Sequence, residues 1–487
     1  MEYLLVAAAM LLSWGCAAAG LYLLSGAVLV AAGIALYGIY YKKSGKLLDP
    51  AALFSIAWIG GAGVSALKLS RLQTDWETLT WVCFFAAWCA FALGNRFARS
   101  RRRGQNNAVG QRRGESVFVQ TAPDSGSAAC SRTAGRILNS MLLLTAVSLG
   151  CFFFEAQRLG YVPLFTVDTP HAYSYFHVSG VHYFTVSCVL VPALFVLYLE
   201  ELRQHCACLR EADGALSGQR LFWRLLALGY GGRLCTAFFC TIAALLIPVL
   251  CVSRFQLIFA VVLAAFVKLM LSGMRLSGRR LLFLAALFLL CMVPVYVGLT
   301  VARAHDVTYL NGIFEMKDPR TPIFFTQPYI YIANNFDNFN CLVRDLPADG
   351  HTFGLRMLFP LWALSGLKFL FPALVSFPLY VTKAELTTVT LFYDAFYDFG
   401  LLGIVLFGLL LGFAAGKLFL AAANCRNMQA RPALLLIFAQ LCFYLLFSFF
   451  TTWFSNPTTW FYLALSLLFY FYLAYDRHSA ERRRTDC

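Results

Sequence analysis

The sequence predicts an all-α, polytopic integral membrane protein with about 12 transmembrane helices and a large outer loop that carries short interfacial helices. Three observations support this fold class. The 487 residues are 60% hydrophobic and only 13% charged, which is more apolar surface than a soluble domain can bury. Apolar runs of about 20 residues, the length that crosses a bilayer, recur along the chain. Finally, 28 of the 39 Lys and Arg residues fall in alternate connections between these runs.

The distribution of positive charge predicts the topology. The basic connections are 42–50, 96–136, 201–234, 268–280, 417–431 and 477–487. Basic loops remain in the cytoplasm, so both chain ends are expected inside. The net charge of +15 collects at membrane edges, which favours anionic lipid headgroups as partners and disfavours nucleic acid.

Twelve spans are predicted, in order 2–18, 21–41, 51–68, 78–95, 137–154, 182–199, 235–252, 255–272, 281–302, 398–416, 432–453 and 457–475. The first is taken as a spanning helix because no cleavage site of a signal peptide follows it. Little more than Ala-Gly separates it from the second, and the charge alternation requires both. The span 398–416 carries Gly408, Gly412 and Gly416, a spacing that lets helices approach closely.

These spans divide the chain into six segments. They are N-terminal transmembrane helices at 1–98, a basic cytoplasmic loop at 99–136, central transmembrane helices at 137–302, a large extracytoplasmic loop at 303–397, C-terminal transmembrane helices at 398–476 and a basic cytoplasmic tail at 477–487. Loop 99–136 is polar and rich in Gly and Ser, which predicts disorder. Residues 355–377 are apolar but interrupted by Pro360, Lys368 and Pro372, which predicts short helices on the outer face.

Candidate chemistry collects in the outer loop and at the start of the helix that follows it. On a helix, Asp394 and Asp398 share one face, as do Tyr393 and Tyr397. A solvated loop with a polar helix start is the plainer explanation for any one of these residues. Carboxylates and arginines packed against a membrane helix are nevertheless costly unless they are paired or used. Arg254, between two apolar runs, is either a phosphate ligand with two parallel hydrogen bonds or an arginine that extends to the interface.

Several enzyme classes are disfavoured because their motifs are absent. The chain has no HExxH, DxD or GxSxG motif and no nucleotide-binding glycine loop after a strand, which disfavours a nucleotide-sugar enzyme with a metal-bridged diphosphate. Cys206 and Cys208 beside His205 do not have the spacing of a structural zinc site. No metal and no cofactor are expected.

Four segments, in order, resemble bacterial oligosaccharide repeat-unit polymerases, the O-antigen polymerases of the Wzy type. They are the Pro-Leu-Phe signature in 160–165, Ser253-Arg254 at a turn between helices, the Asn/Phe segment 331–339, and the run from Thr390 through Asp394 and Asp398-Phe-Gly to Gly403. The segments span residues 160 to 403, and the helix count fits the whole chain. Relatives often carry an Arg shortly after Pro-Leu-Phe, where this chain has His171 and His177.

The resemblance implies a substrate and a reaction. Such enzymes join undecaprenyl-pyrophosphate-linked oligosaccharides at the outer face of the bacterial cytoplasmic membrane. Membrane lipids are expected partners, and a polysaccharide chain-length regulator is a candidate partner. The expected pyrophosphate ligands are Arg254, Arg303, Arg320, Arg344 and Arg356; the expected bases are Asp394, Asp398 and His351; and the expected sugar contacts are His171, His177, Tyr393 and Tyr397.

Two alternatives remain open. An O-antigen ligase moves a finished chain onto lipid A core, and a lipid-linked oligosaccharide flippase forms no bond at all. A flippase is expected to place charges between helices at the bilayer midplane, often in paired repeats. Here the charges gather in one outer loop and no internal repeat is present, which favours the polymerase.

Overall fold

A computed structural model describes residues 1–100, 127–166, 172–213, 229–272, 307–425 and 429–485. Within these ranges the chain forms helices and no strand, apart from one isolated bridge between Ser70 and Met316. Eight described helices are long and apolar enough to cross a membrane, and three shorter helices are also apolar. The prediction of an all-α, polytopic membrane protein is therefore confirmed.

The longer helices begin and end close to the predicted spans. The N-terminal half contains α1 Glu2–Ala18, α2 Tyr22–Ser44, α3 Pro50–Ala66, α4 Thr78–Ser100, α5 Ser127–Leu159, α6 Ala172–Tyr175, α7 Val181–Val186, α8 Val191–Asp213, α9 Gly231–Leu250 and α10 Arg254–Ser272. The C-terminal half contains α11 Val307–Phe314, α12 Ile323–Asp345, α13 Phe359–Leu364, α14 Leu367–Leu370, α15 Tyr393–Ala423, α16 Arg431–Leu446 and α17 Pro457–Thr485.

Eleven of the twelve predicted spans coincide with apolar helices, and the predicted span 281–302 lies outside the described residues. Several helix ends differ from the predicted bounds; α16, for example, ends at Leu446 and not at 453. Two further differences have a clear physical cause. Residues 127–136, predicted to be disordered, belong to α5, because Ala and Arg favour helix and no Pro interrupts them. The predicted span 182–199 divides into α7, a 3₁₀ turn at Ser187–Leu190 and α8. The division falls just before Pro192, whose nitrogen cannot donate to a preceding turn.

The chain forms two compact units. The first consists of Met1–Arg112, Asp306–Leu420 and Leu441–Trp460. The second consists of Arg113–His305, Ala421–Gln440 and Phe461–Cys487. Most of the predicted chemistry lies in the first unit, whereas Arg254 and the Pro-Leu-Phe signature lie in the second.

Helices α4 and α15 pack closely within the first unit. A Cβ atom added at Gly408 would lie 2.9 Å from the Cβ atom of Ala90. A Cβ atom added at Gly412 would lie 2.1 Å from the carbonyl oxygen of Phe91. One at Gly416 would lie 2.7 Å from the Ala98 Cβ. The glycine ridge of α15 therefore lies directly on α4, as its spacing predicts. Because residue numbers rise together along the two helices, α4 and α15 run parallel.

Helix α12 is the main departure from the predicted outer loop. Short helices were predicted at 355–377, where α13 and α14 lie, but the 23-residue helix α12 was not predicted. Its asparagines are buried and bind neighbouring backbone. Asn335 donates to the Phe449 carbonyl at 2.8 Å, and Asn338 donates to those of Leu386 and Thr388 at 2.7 and 2.8 Å. Buried amides with partners on both sides are stable, so the polar residues that predicted a solvated loop instead hold the first unit together.

A buried ion pair adds to this polar core. Lys68, 5% exposed, donates to Asp337, 1% exposed, at 2.8 Å. The same carboxylate accepts from Trp76 Nε1 at 2.8 Å and from Gln73 Nε2 at 2.6 Å. A buried carboxylate with this many donors is satisfied, and removing either charge would leave the other unpaired.

Candidate functional site

The candidate site begins at the first turn of α15. Residues Tyr393 to Asp398 form a helical turn, and the backbone then leaves helical geometry at Phe399 and Gly400. Gly400 has φ 58° and ψ −144°, a conformation that is essentially restricted to glycine. The Asp-Phe-Gly sequence therefore separates a short turn that carries both aspartates from the long apolar part of α15.

Arg356 lies against this turn and pairs with Asp394. Its Nε donates to Asp394 Oδ1 at 2.7 Å, and the two side chains are 16% and 7% exposed. The guanidinium carbon also lies 4.5 Å from the ring centre of Tyr397 and 5.6 Å from that of Tyr393. Burial disfavours the charged guanidinium, but the Asp394 carboxylate outweighs burial and raises the pKa of Arg356. The group therefore stays cationic.

The guanidinium is held at one edge and free at the other. Among the described residues, the two terminal nitrogens of Arg356 have no hydrogen-bond partner, since Nε alone binds Asp394. The second carboxylate oxygen of Asp394 likewise has no partner in the described part of the chain. A guanidinium held in this way can present two parallel N–H bonds to a phosphate.

Asp398 has a different environment. It is fully buried and accepts from the Thr352 hydroxyl, from the Arg356 amide at 3.2 Å and from the Met357 amide at 2.9 Å. A carboxylate that accepts three hydrogen bonds and has no exposed surface is poorly placed to take a proton from a substrate. The geometry therefore does not support the prediction that Asp398 is a candidate base. Its contacts instead make Asp398 an anchor for the segment that carries Arg356.

His351 lies beside the same turn. Its Nδ1 is 3.0 Å from the Tyr397 carbonyl oxygen. A carbonyl only accepts, so Nδ1 must carry a hydrogen, and when the ring is neutral Nε2 has the lone pair. The Nε2 atom lies 3.7 Å from where a Cβ on Gly400 would be, so the glycine also leaves room for this ring.

The predicted sugar contacts on this turn are also revised. Tyr393 is fully buried and Tyr397 is 2% exposed. The Tyr393 hydroxyl donates to the Tyr380 carbonyl at 3.0 Å. Both rings support the Arg356 guanidinium, which leaves no open ring face for a sugar.

A cavity of about 390 Å³ adjoins the Arg356–Asp394 pair. Polar side chains of the turn between α16 and α17 form part of its wall, together with apolar residues of 355–377. The lining residues are Leu355, Arg356, Phe359, Leu374, Val375, Phe377, Asp394, Thr451, Thr452, Ser455, Asn456 and Pro457. The combination of one arginine, one carboxylate, several hydroxyl groups and apolar walls suits an anionic ligand that also has polar and apolar parts.

The cavity lies at one end of the parallel α4–α15 pair. The 19 residues from Leu401 to Phe419 rise by about 28 Å at 1.5 Å per residue, which is close to the thickness of a bilayer core. Near the far end, the guanidinium of Arg99 lies 4.2 Å from the Phe419 ring centre. Arg356 and Arg99 therefore lie at opposite ends of one membrane-length helix.

The other predicted ligands of the outer loop lie elsewhere. Arg344 is paired with its neighbour Asp345 at 2.7 and 2.9 Å and is 45% exposed, and Arg320 is exposed in a turn. Neither contacts Asp394 or Asp398 in the described part of the chain. Arg303 and His171 lie outside the described residues. Of the five predicted pyrophosphate ligands, Arg356 is the one that the first unit places with the acidic turn.

Arg254 lies in the second unit, at the first position of α10. It is 6% exposed, which argues against an arginine that extends to the membrane interface. The preceding turn has Val252 at φ 52°, and Leu164 of the Pro-Leu-Phe segment packs against the cluster that Val252 forms with Leu257. Two of the four sequence segments singled out above, 163–165 and 253–254, are therefore neighbours.

A buried carboxylate in the second unit escaped the sequence analysis. Glu155 is fully buried and accepts from the Val178 amide at 2.8 Å, the Thr185 hydroxyl at 2.7 Å and His182 Nδ1 at 3.2 Å. Exposed His177, a predicted sugar contact, has its ring centre 6.4 Å from that of His182. The one available sequence signal was a glutamate at the end of a long apolar run, where an unpaired charge is costly.

Comparisons with known proteins provide no further assignment. No model of a protein family, no curated protein and no solved structure matches the chain. Within the described ranges, no group of three or more His, Cys, Asp or Glu side chains is placed to hold a metal ion. The fold identifies a multi-pass membrane protein, and its first unit has a cavity lined by the Arg356–Asp394 ion pair.

Proposed function

We propose that this protein is a polymerase that joins undecaprenyl-pyrophosphate-linked oligosaccharide repeat units into a surface polysaccharide. The reaction takes place at the outer face of a bacterial cytoplasmic membrane, and both chain ends lie in the cytoplasm. The observation that carries the proposal is the Arg356–Asp394 pair at the cavity, in which the guanidinium keeps two unpartnered nitrogens. The repeat-unit substrate is inferred from the four sequence segments that resemble the polymerases. The orientation of the protein in the membrane is inferred from the basic connections.

The chemistry requires one bond to form and one to break. The terminal hydroxyl oxygen of a new lipid-linked unit attacks the anomeric carbon at the reducing end of the growing chain. The bond from that carbon to the pyrophosphate breaks, and the lipid pyrophosphate leaves with the electron pair. The hydroxyl proton passes to a base. The leaving group already carries its charge, so a fixed cation is sufficient to stabilise it.

The described side chains divide these tasks. The terminal nitrogens of Arg356 bind the pyrophosphate as negative charge grows on the bridging oxygen. The free oxygen of Asp394, which lines the same cavity, accepts the proton. His351, which has a lone pair on Nε2 when its ring is neutral, is the second candidate base. Asp398 and Tyr397 hold Arg356 in place and do not meet the substrate.

The hydroxyl-bearing turn opposite Arg356 fits the sugar part of the substrate. Thr451, Thr452, Ser455 and Asn456 line the cavity, and hydroxyl and amide groups are suitable partners for sugar hydroxyls. The apolar wall at Phe359 and Phe377 suits the apolar faces of a sugar ring. Membrane lipids surround the protein, and a chain-length regulator remains a candidate partner.

A reconstituted reaction tests the proposal. Purified protein in detergent, given synthetic lipid-linked repeat units and a chelator, is expected to yield a ladder of longer lipid-linked chains. Arg356→Lys keeps the charge but loses the two-pronged contact, so the rate is expected to fall by about 10²-fold. Arg344→Lys is the matched control because that arginine is exposed and paired with Asp345.

The possible outcomes separate the alternatives. A flippase forms no covalent product, and a ligase leaves the repeat units unjoined until its own acceptor is added. Absence of a ladder from the wild-type protein with its matched repeat unit would refute the polymerase. Loss of the ladder on chelation alone would refute the metal-free reaction while the polymerase assignment survived.

A further inference from the structure

A second and larger cavity lies at the other end of the first unit. Its volume is about 700 Å³. It is formed where α1 begins and where α2 and α4 end, and its lining includes Tyr3, Tyr40, Lys43, Arg96 and Arg99. Since Arg99 lies beside Phe419 near the far end of α15, this cavity is about one bilayer core away from the Arg356 cavity.

The charges around the cavity do not cancel. Each of its two acidic side chains already has a basic partner: Glu2 pairs with Lys43, and Asp49 binds both terminal nitrogens of Arg99, at 2.8 and 3.3 Å. Arg96 contacts no carboxylate in the described part of the chain. It lies beside the hydroxyl group of Tyr3. The cavity therefore holds one uncompensated guanidinium, which favours an anionic ligand.

The surroundings indicate the kind of anion. Leu4 and Leu11 of α1 are 75% and 65% exposed, as expected for a helix face in contact with lipid chains. Tyr3 and Tyr40 line the cavity at the helix ends, where tyrosines occupy the headgroup region. A ligand at this position has its charged part in the cavity and its apolar part along α1.

We infer that this cavity binds the phosphate headgroup of an anionic phospholipid, with Arg96 as the main contact and the acyl chains against α1. The binding site is separate from the cavity proposed for the reaction and does not depend on that proposal. The charge alternation of the sequence assigns this end to the cytoplasmic leaflet, where anionic lipids attract basic side chains.

Native mass spectrometry of the full-length protein tests the inference, with phosphatidylglycerol and phosphatidylcholine as probes. The wild-type protein is expected to retain one phosphatidylglycerol more tightly than phosphatidylcholine. Arg96→Gln is expected to weaken that first binding event about fivefold, the effect of one basic residue near a membrane surface. Arg96→Lys keeps the charge and is expected to retain most of the preference.

Lys42→Gln is the matched control, because Lys42 is exposed at the same end of α2 and does not line the cavity. Thermal unfolding of each variant confirms that the fold is intact. Equal weakening by Arg96→Gln and Lys42→Gln would overturn the inference, since binding would then follow surface charge alone. A lack of preference for phosphatidylglycerol would also overturn it. Displacement by inorganic phosphate would assign the cavity to a soluble phosphate compound and overturn the lipid.

Discussion

Replacing Asp398 with Asn tests whether this residue anchors the segment that carries Arg356. The carboxylate accepts from the amides of Arg356 and Met357 and from the Thr352 hydroxyl, with no exposed surface. An asparagine presents an NH₂ group where one carboxylate oxygen was, so at least one buried amide loses its acceptor. A buried donor without a partner costs about 1–3 kcal/mol. Local opening of the segment 351–358 is therefore expected to become about 5- to 150-fold more frequent.

Hydrogen–deuterium exchange followed by mass spectrometry measures this opening directly. The peptide that contains Arg356 and Met357 is expected to exchange faster in Asp398→Asn by that factor. Asp345→Asn is the control, because it makes the same chemical change in a half-exposed pair with Arg344, and such pairs contribute little. If the peptide exchanged at the wild-type rate in Asp398→Asn, the carboxylate would not be holding the segment, and the distinction drawn between Asp394 and Asp398 would fail.

Three further predictions concern packing, orientation and the second unit. Gly412→Leu is expected to abolish monodisperse protein in size-exclusion chromatography, because a Cβ would lie 2.1 Å from a backbone oxygen of α4. Gly38→Leu, where nothing lies within 4 Å, is expected to be tolerated. An impermeant thiol reagent is expected to label Asp318→Cys but not Lys42→Cys in intact cells, once accessible native cysteines have been replaced; the reverse would invert the topology. Arg254→Lys is expected to reduce polymer strongly at unchanged protein abundance if Arg254 binds pyrophosphate, and normal polymer would exclude that role.

The transmembrane helices were predictable because their signal is large. A span needs about 20 apolar residues, and the chain supplies such runs from Tyr22–Ser44 to Pro457–Tyr475. Helix α12 was not predictable in the same way. Asn334, Asn335 and Asn338 reduce its mean hydropathy, and a sequence pattern cannot show that each amide has a buried partner. The partners come from residues about 50 to 115 positions away, so only the folded chain reveals them.

The candidate site was predictable in its members but not in their roles. Asp394, Asp398, Tyr393, Tyr397, His351 and Arg356 were all singled out from the sequence, and the first unit brings them together. Residue type and spacing place both aspartates on one helical turn. Burial and the number of accepted hydrogen bonds then distinguish the role of Asp398 from that of Asp394. Neither property can be predicted from the four-residue spacing of the two aspartates. The polar turn 451–456 was missed because the predicted span 432–453 continued through Thr451 and Thr452, whereas α16 ends at Leu446 and the residues after it form the turn.

Two arginine–aspartate pairs in the first unit show why contact geometry decides which arginine can bind a phosphate. Arg99 binds Asp49 through both terminal nitrogens, and the Asp49 carboxylate also caps α3 by accepting from the Ala51 amide at 2.9 Å. Both terminal nitrogens of the Arg99 guanidinium are therefore occupied by Asp49, and this arginine stabilises the fold. Arg356 binds Asp394 through Nε alone, at 2.7 Å, so the same pair of residue types leaves the fork open beside a cavity. A bidentate phosphate contact requires that fork. On this argument, Arg356→Lys and Arg99→Lys are chemically identical changes that act on different properties, the first on the rate of polymer formation and the second on the stability of the helix ends.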